Sequence, residues 1–193
     1  MKKISAVLLS FLLLMPLSSC KQAQNTVQNV PLTSGEQRIA DLTSDMTYKF
    51  SFPKGGIYDI KIYLYRNGTL EVVGAMSGFD TEGNAGTVLI SGRKDGNVSY
   101  AWGLSDGAST ARCPATEIDD DTSYIGASGI GQDHFTMEAG KEYALAFAAY
   151  VAGPELQASA TEPFNNWDTL NDKAGALSAF TYAYVVTAQL SDA

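Results

Sequence analysis

Residues 57–76 read IYDIKIYLYRNGTLEVVGAM, and the period of that stretch decides the fold. Tyr58, Ile60, Ile62 and Leu64 alternate with Asp59, Lys61 and Tyr63. A period of two puts one set of side chains on each face of a strand, here an apolar face and a mostly polar one. Asn67 and Gly68 then accept the positive backbone angles of a type I′ turn, so the chain is expected to fold straight back through Leu70, Val72, Gly74 and Met76 as a hairpin.

The same period extends in both directions. Upstream, Met46, Tyr48, Phe50 and Phe52 alternate with Thr47, Lys49 and Ser51. Downstream, Val88 and Ile90 lead through Asp95 and Gly96, a second turn signal, into Val98, Tyr100, Trp102 and Leu104. After a long loop come Phe135 and Met137, then Tyr143, Leu145, Phe147, Ala149 and Val151, with Ala144, Ala146 and Ala148 opposing them. The last run places Phe180, Tyr182, Tyr184, Val186, Ala188 and Leu190 on one face and Thr181, Thr187 and Gln189 on the other. These segments, with no amphipathic helix of convincing length, predict an all-β chain: a single antiparallel β-sandwich, jelly-roll or immunoglobulin-like, of about eight strands over residues 45–193. A closed barrel is the alternative. A domain of that size should bury roughly 70% of its unfolded surface around one core. Small residues opposite the large ones between 143 and 151 imply that something covers that strand: a loop, the 155–176 segment, or a ligand.

The amino-terminal end follows a different rule. Lys2 and Lys3 precede an apolar run from Ile4 to Leu17, and small residues follow at Ser18 and Ser19, which is the charged, apolar, small order of an export signal. The run is too short to span a bilayer, which takes roughly 20 apolar residues. Leu17, Ser18, Ser19 and Cys20 resemble the lipobox of bacterial lipoproteins, a resemblance confined to the first 20 residues. It implies that residues 1–19 are a lipoprotein signal peptide, that cleavage falls between Ser19 and Cys20, and that Cys20 is lipidated. Two or more acyl chains anchor stably where one binds only reversibly. Lys21 stands where family members kept at the inner membrane often carry Asp, so the resemblance implies an outer-membrane destination in a source that has one. Residues 20–44 are rich in Gln, Asn, Thr and Ser and read as a flexible tether, with EQRIADL able to form a docked helical turn. A coil of 25 residues has a root-mean-square span of about 28 Å.

Composition narrows the partners. The chain has 13 basic and 21 acidic residues, and losing residues 1–19 removes two lysines and no acid, which takes the net charge from −8 to −10. Such a polyanion does not suit nucleic acid, whose binding rests on Lys and Arg neutralising phosphates, and anionic headgroups would repel it, so lipid rather than charge must hold it at the membrane. With Cys20 acylated, Cys113 has no partner within the chain, and no disulfide framework is expected.

Candidates for chemistry are few. His134 is the sole histidine. It borders the same loop as Cys113, which allows a thiol and base pair in principle, but burial of a free Cys is the commoner outcome. No GxSxG, HExxH or P-loop pattern is present, so no enzymatic activity is expected. The stretch TEIDDDTSY puts Glu117, Asp119, Asp120 and Asp121 in one loop, an oxygen-rich set of the kind Ca²⁺ takes, and FDTEGNAG offers Asp80, Glu82 and Asn84 more weakly. Finally, TEPFNNWDTLND sets Phe164, Asn165, Asn166, Trp167 and Asp168 in a polar segment. Either the Trp plugs the end of the sandwich, or its ring and the neighbouring amides form a platform for a sugar.

Taken together these features predict a lipid-anchored envelope protein acting as a non-enzymatic binding or interaction module for a glycan, peptide or protein. The alternative is an accessory or inhibitor protein whose acidic surface docks a basic partner.

Overall fold

In the computed structural model the chain turns where Asn67 and Gly68 predict: both have positive φ, 50° and 77°, and Arg66 pairs with Thr69 across the turn. The structure describes residues 25–43, 46–81, 86–94, 97–104, 110–112, 116–117, 122–128, 134–152 and 161–191. Among them are twelve strands: β1 (Thr26–Asn29), β2 (Met46–Phe52), β3 (Ile57–Arg66), β4 (Thr69–Asp80), β5 (Gly86–Lys94), β6 (Asn97–Leu104), β7 (Thr110–Arg112), β8 (Thr116–Glu117), β9 (Thr122–Ser128), β10 (His134–Thr136), β11 (Glu142–Ala152) and β12 (Tyr182–Leu190). The helices are α1 (Ser34–Thr43), α2 (Glu162–Asn165) and α3 (Lys173–Ala176), with a 3₁₀ turn at Trp167–Thr169.

One sheet runs β10-β1-β2-β5-β6-β7, with β8 also paired to β6, and the other runs β4-β3-β12-β11-β9. Every pairing is antiparallel, and the two sheets remain separate rather than closing into a barrel. Phe50, Phe52, Val88 and Ile90 from the first sheet meet Ile60, Ile62, Tyr184 and Val186 from the second in one buried cluster, which is the inside of a sandwich. Phe52, Tyr58 and Phe79 pack there edge-on or tilted, with ring centroids 4.8 to 6.3 Å apart.

Two strands depart from simple alternation, and bulges are the reason. Between Ile62 and Tyr63, and again between Tyr58 and Ile60, β4 carries one residue more than β3. Val73, Met76 and Phe79 therefore pack on the core, Val72 is 51% exposed, and Leu70 lies against the opposite face of the sheet. Gly78 sits at the second bulge with φ 73° and donates its N–H to Asp59 Oδ1 at 3.0 Å, a backbone geometry that favours glycine. In β11 the register shifts between Ala144 and Ala146. Leu145, Ala146, Ala148 and Tyr150 consequently line the interior, whereas Ala144, Phe147 and Ala149 face out. Of the three alanines expected on the outer face, one is there.

The domain also begins earlier than residue 45. β1 lies within the predicted tether, pairs with both β10 and β2, and buries Val27 completely. α1 follows, closed by a reciprocal cap that the sequence reading passed over. Glu36 N–H donates to Thr33 Oγ1 at 3.3 Å and Glu36 Oε2 accepts from Thr33 N–H at 2.7 Å, as a capping box requires. Lys49 of β2 then meets Glu36 Oε1 at 2.7 Å, and this bond, with those from Thr33, lowers the Glu36 carboxyl to about 2. Residues 44 and 45, Asp95 and Gly96 of the second predicted turn, and the first 24 residues, Cys20 included, lie outside the described residues.

If β1 belongs to the core, Val27→Asp should lower the thermal midpoint sharply, because an unpaired buried charge costs several kcal/mol. Its exposed neighbour is the control: Gln28→Asp should shift the midpoint little. Equal melting of the two variants would return residues 26–29 to a tether.

Candidate functional site: a covered sheet face and its carboxylate hub

The outward face of the five-stranded sheet is apolar where β11 and β12 run side by side. Phe147, Ala149, Ala183 and Val185 project there, and a strap made of residues 161–181 lies over them. Phe164 stacks flat on Phe147, centroids 3.8 Å apart and planes 3° from parallel, while Phe180 flanks it at 5.6 Å. Leu177 is fully buried in the same cluster. Short elements with polar caps build the strap. Asp172 Oδ1 accepts from Gly175 N–H at 2.9 Å to start α3, and Thr181 N–H donates to Tyr150 O at 2.8 Å where the chain re-enters the sheet.

At the rim of this second core sits one carboxylate with many donors. Glu142 begins β11, and its side chain is 11% exposed. Its Oε1 accepts from Tyr63 Oη at 2.9 Å and Thr187 Oγ1 at 3.1 Å, with Lys61 Nζ at 3.4 Å. Its Oε2 accepts from Lys173 Nζ at 2.6 Å and Trp167 Nε1 at 3.2 Å. Lys173 also lies over the Trp167 ring, 4.8 Å from its centroid, and Tyr63 tilts against that ring at 5.7 Å. Burial alone would raise the Glu142 carboxyl, but the bonds from Lys173, Tyr63 and Trp167 outweigh it and hold the group below the ordinary range. The Tyr63 hydroxyl is pushed up, by burial first and then by the Glu142 charge.

The sequence-predicted residues divide on this strap. Phe164 and Trp167 are each 1% exposed, Asn165 and Asn166 are exposed, and Asp168 is half-buried. With both rings turned into the sheet, neither offers a stacking face, so the sugar platform is corrected to a plug of the sheet's outer side. The physical reason is the apolar face formed by Phe147, Ala149, Ala183 and Val185, which needs cover. The free space beside them, bordered by Tyr143, Ala144, Phe164, Asn165, Trp167 and Asp168, is about 10 Å³, room for one water at most.

The remaining candidates are dispersed or undescribed. His134 is exposed on β10, and Cys113 lies outside the described residues. Glu117 belongs to β8, paired with Asn97, whereas Asp119, Asp120 and Asp121 lie outside the described residues, as do Glu82 and Asn84. Asp80 ends β4 opposite Ile57 and is exposed. Among the described residues no three His, Cys, Asp or Glu side chains converge as metal ligands.

The sequence reading missed Glu142, Lys61 and Thr187, which meet through cross-strand register, and Lys173, which the strap carries to them. The available signal was Tyr63, an aromatic on the polar face of β3 beside Lys61, which marks that face as covered.

Glu142→Gln keeps the shape and loses the charge, so it should cost about 2 kcal/mol near neutral pH, the scale of a hydrogen bond to a charged group. Because the folded carboxyl titrates below the ordinary value of 4.5, its contribution is present above that pH and is lost as pH falls through the folded value. The gap between wild type and Glu142→Gln in denaturant melts should therefore stay constant above about pH 5 and narrow in acid; a gap independent of pH would contradict the charged network.

No family model, no curated protein and no solved structure matches this chain.

Proposed function

We propose that the chain is a bacterial lipoprotein, held in the cell envelope by acyl chains on Cys20, whose β-sandwich serves as a non-enzymatic binding or interaction module. The observation that carries this reading is the order of residues 1–20: two lysines, a short apolar run, then Leu17, Ser18, Ser19 and Cys20. The outer membrane is the favoured site in a source that has one, because Lys21 rather than Asp follows the cysteine. Two features of the folded domain support a binding role over catalysis. Glu142, the carboxylate of β11 on which the strap docks, has its oxygens occupied by donors, which suits holding a surface in place and not moving a proton. Loops at the sandwich ends, carried on two rigid sheets, are where a protein or glycan ligand would be met.

The test is acylation itself. Intact-mass analysis of membrane-derived protein should find a chain beginning at Cys20 and carrying lipid, and Cys20→Ala should move the protein from the detergent phase to the aqueous phase on phase separation. An intact Met1, or an unmodified residue 20 in the membrane fraction, would contradict the proposal.

A further inference from the structure

Resting on that lipid anchor, we propose that one end of the sandwich, formed by the β2–β3 loop and the β10–β11 turn, stands on the bilayer surface and holds the opposite end, at Asn67 and Gly68, away from it. The chain between Cys20 and β1 is five residues, 21–25, in place of a long tether. Six Cα steps reach about 20 Å when fully stretched, and as a flexible coil their root-mean-square span is about 13 Å. The start of β1 is thus confined near the headgroups.

The pairing identifies which part of the domain is confined with it. Thr26 pairs with Thr136, and Asn25 O accepts from Met137 N–H at 2.9 Å, so residues 138–141 adjoin the point of attachment. Gln28 pairs with Ser51, which puts Phe52 and the loop 53–56 beside the start of β1. That loop is a fixed surface, because buried Thr81 clamps it. Thr81 Oγ1 accepts from Gly56 N–H at 2.9 Å and bonds Pro53 O at 2.7 Å, while Gly55 N–H donates to Thr81 O at 2.9 Å. Gly140 N–H bonds Leu190 O at 2.9 Å, tying the turn to the second sheet, so both sheets end here. The ten residues of β3 carry the chain about 30 Å from Ile57 to Arg66, farther than the stretched linker reaches.

This end presents one half-exposed apolar side chain among charged ones, with Asp80 opposite Ile57. Ile57 is 49% exposed, and Lys54, Ala139 and Lys141 stand exposed around it, with Lys141 paired to Glu138 at 2.9 Å. Lysine stems lie along an apolar surface while their ammonium groups reach water. Attraction to anionic lipid does not hold the contact, since the mature chain is acidic; the anchor enforces it.

Energy transfer to a headgroup acceptor tests the orientation. Full-length protein carrying Cys113→Ser and one donor-labelled cysteine, at Ala139→Cys, Lys54→Cys or Thr69→Cys, is incorporated into phosphatidylcholine vesicles with acceptor-labelled headgroups, and a mass spectrum of the same sample reads acylation at Cys20. Transfer should be strong from positions 54 and 139 and several-fold weaker from position 69. Equal transfer from all three, or the strongest from 69, in acylated protein would overturn the docking while leaving the anchor standing. Unmodified Cys20 would instead remove the anchor, and the docking with it.

Discussion

A sheet that is apolar on both faces must be covered twice, and this requirement shapes the domain. β11 and β12 bury Ala148, Tyr150, Tyr184 and Val186 toward the first sheet and Phe147, Ala149, Ala183 and Val185 toward the strap. A strap brings backbone and polar side chains along with its apolar ones, and buried polar groups need partners. Glu142 answers that need at one point. Its two oxygens collect donors from β3, β12 and the strap, and the register makes this possible: Lys61 pairs with Thr187, and Thr187 with Ala144, two residues from Glu142. Buried ion pairs add little stability against a well-packed apolar alternative, because desolvation offsets most of the attraction. Stacking of Phe164 on Phe147 and burial of Trp167 and Leu177 supply the bulk of the holding energy. On this account the carboxylate fixes where the strap docks.

The fold was readable where the strand runs unbroken. In β2, β3 and β12 the residues on the core face are those expected from a period of two, because nothing interrupts the pleat; Phe180, expected on the same face, precedes β12 and packs in the strap-side cluster instead. β4 and β11 misled for a local reason: one added residue reverses every side chain beyond it, and no residue type announces a bulge as NG announces a turn. β1 was hidden because a four-residue strand between two others needs only one apolar side chain, Val27, inside. β7, β8 and β9 were passed over as a long loop; the segment TSYIGAS, now β9, alternates weakly although seven of its residues pair with β11. At the site, Trp167 was legible as a ring that had to be buried or used. Glu142 was not, since its partners lie 25 to 81 residues away along the chain.

Moving the start of the domain to Thr26 changes the anchored picture as well. A span of about 28 Å would let a domain tumble above the lipid and face any direction. With the lipid on Cys20 that we propose, a link of five residues would restrict both height and orientation, and function would be exercised by whichever end is turned outward. The acidic stretch containing Glu117 and Asp119 to Asp121 is flanked by β8, whose Thr116 pairs with Val98, and by β9, whose Thr122 pairs with Ala152. Those pairings lie toward the end remote from β1, where Arg66 meets Tyr182.

The claim that the strap is part of the core, and not a lid over it, is tested most directly by native-state hydrogen exchange. Amides of Leu177, Phe180 and Thr181, bonded to Ala174 O, Leu177 O and Tyr150 O, should exchange with nearly the same free energy as those of Phe147 and Val185, rising and falling with global stability. Rapid exchange across residues 164–181 while β11 and β12 stay protected would contradict the account, because the outer face could then be bared without unfolding the sandwich.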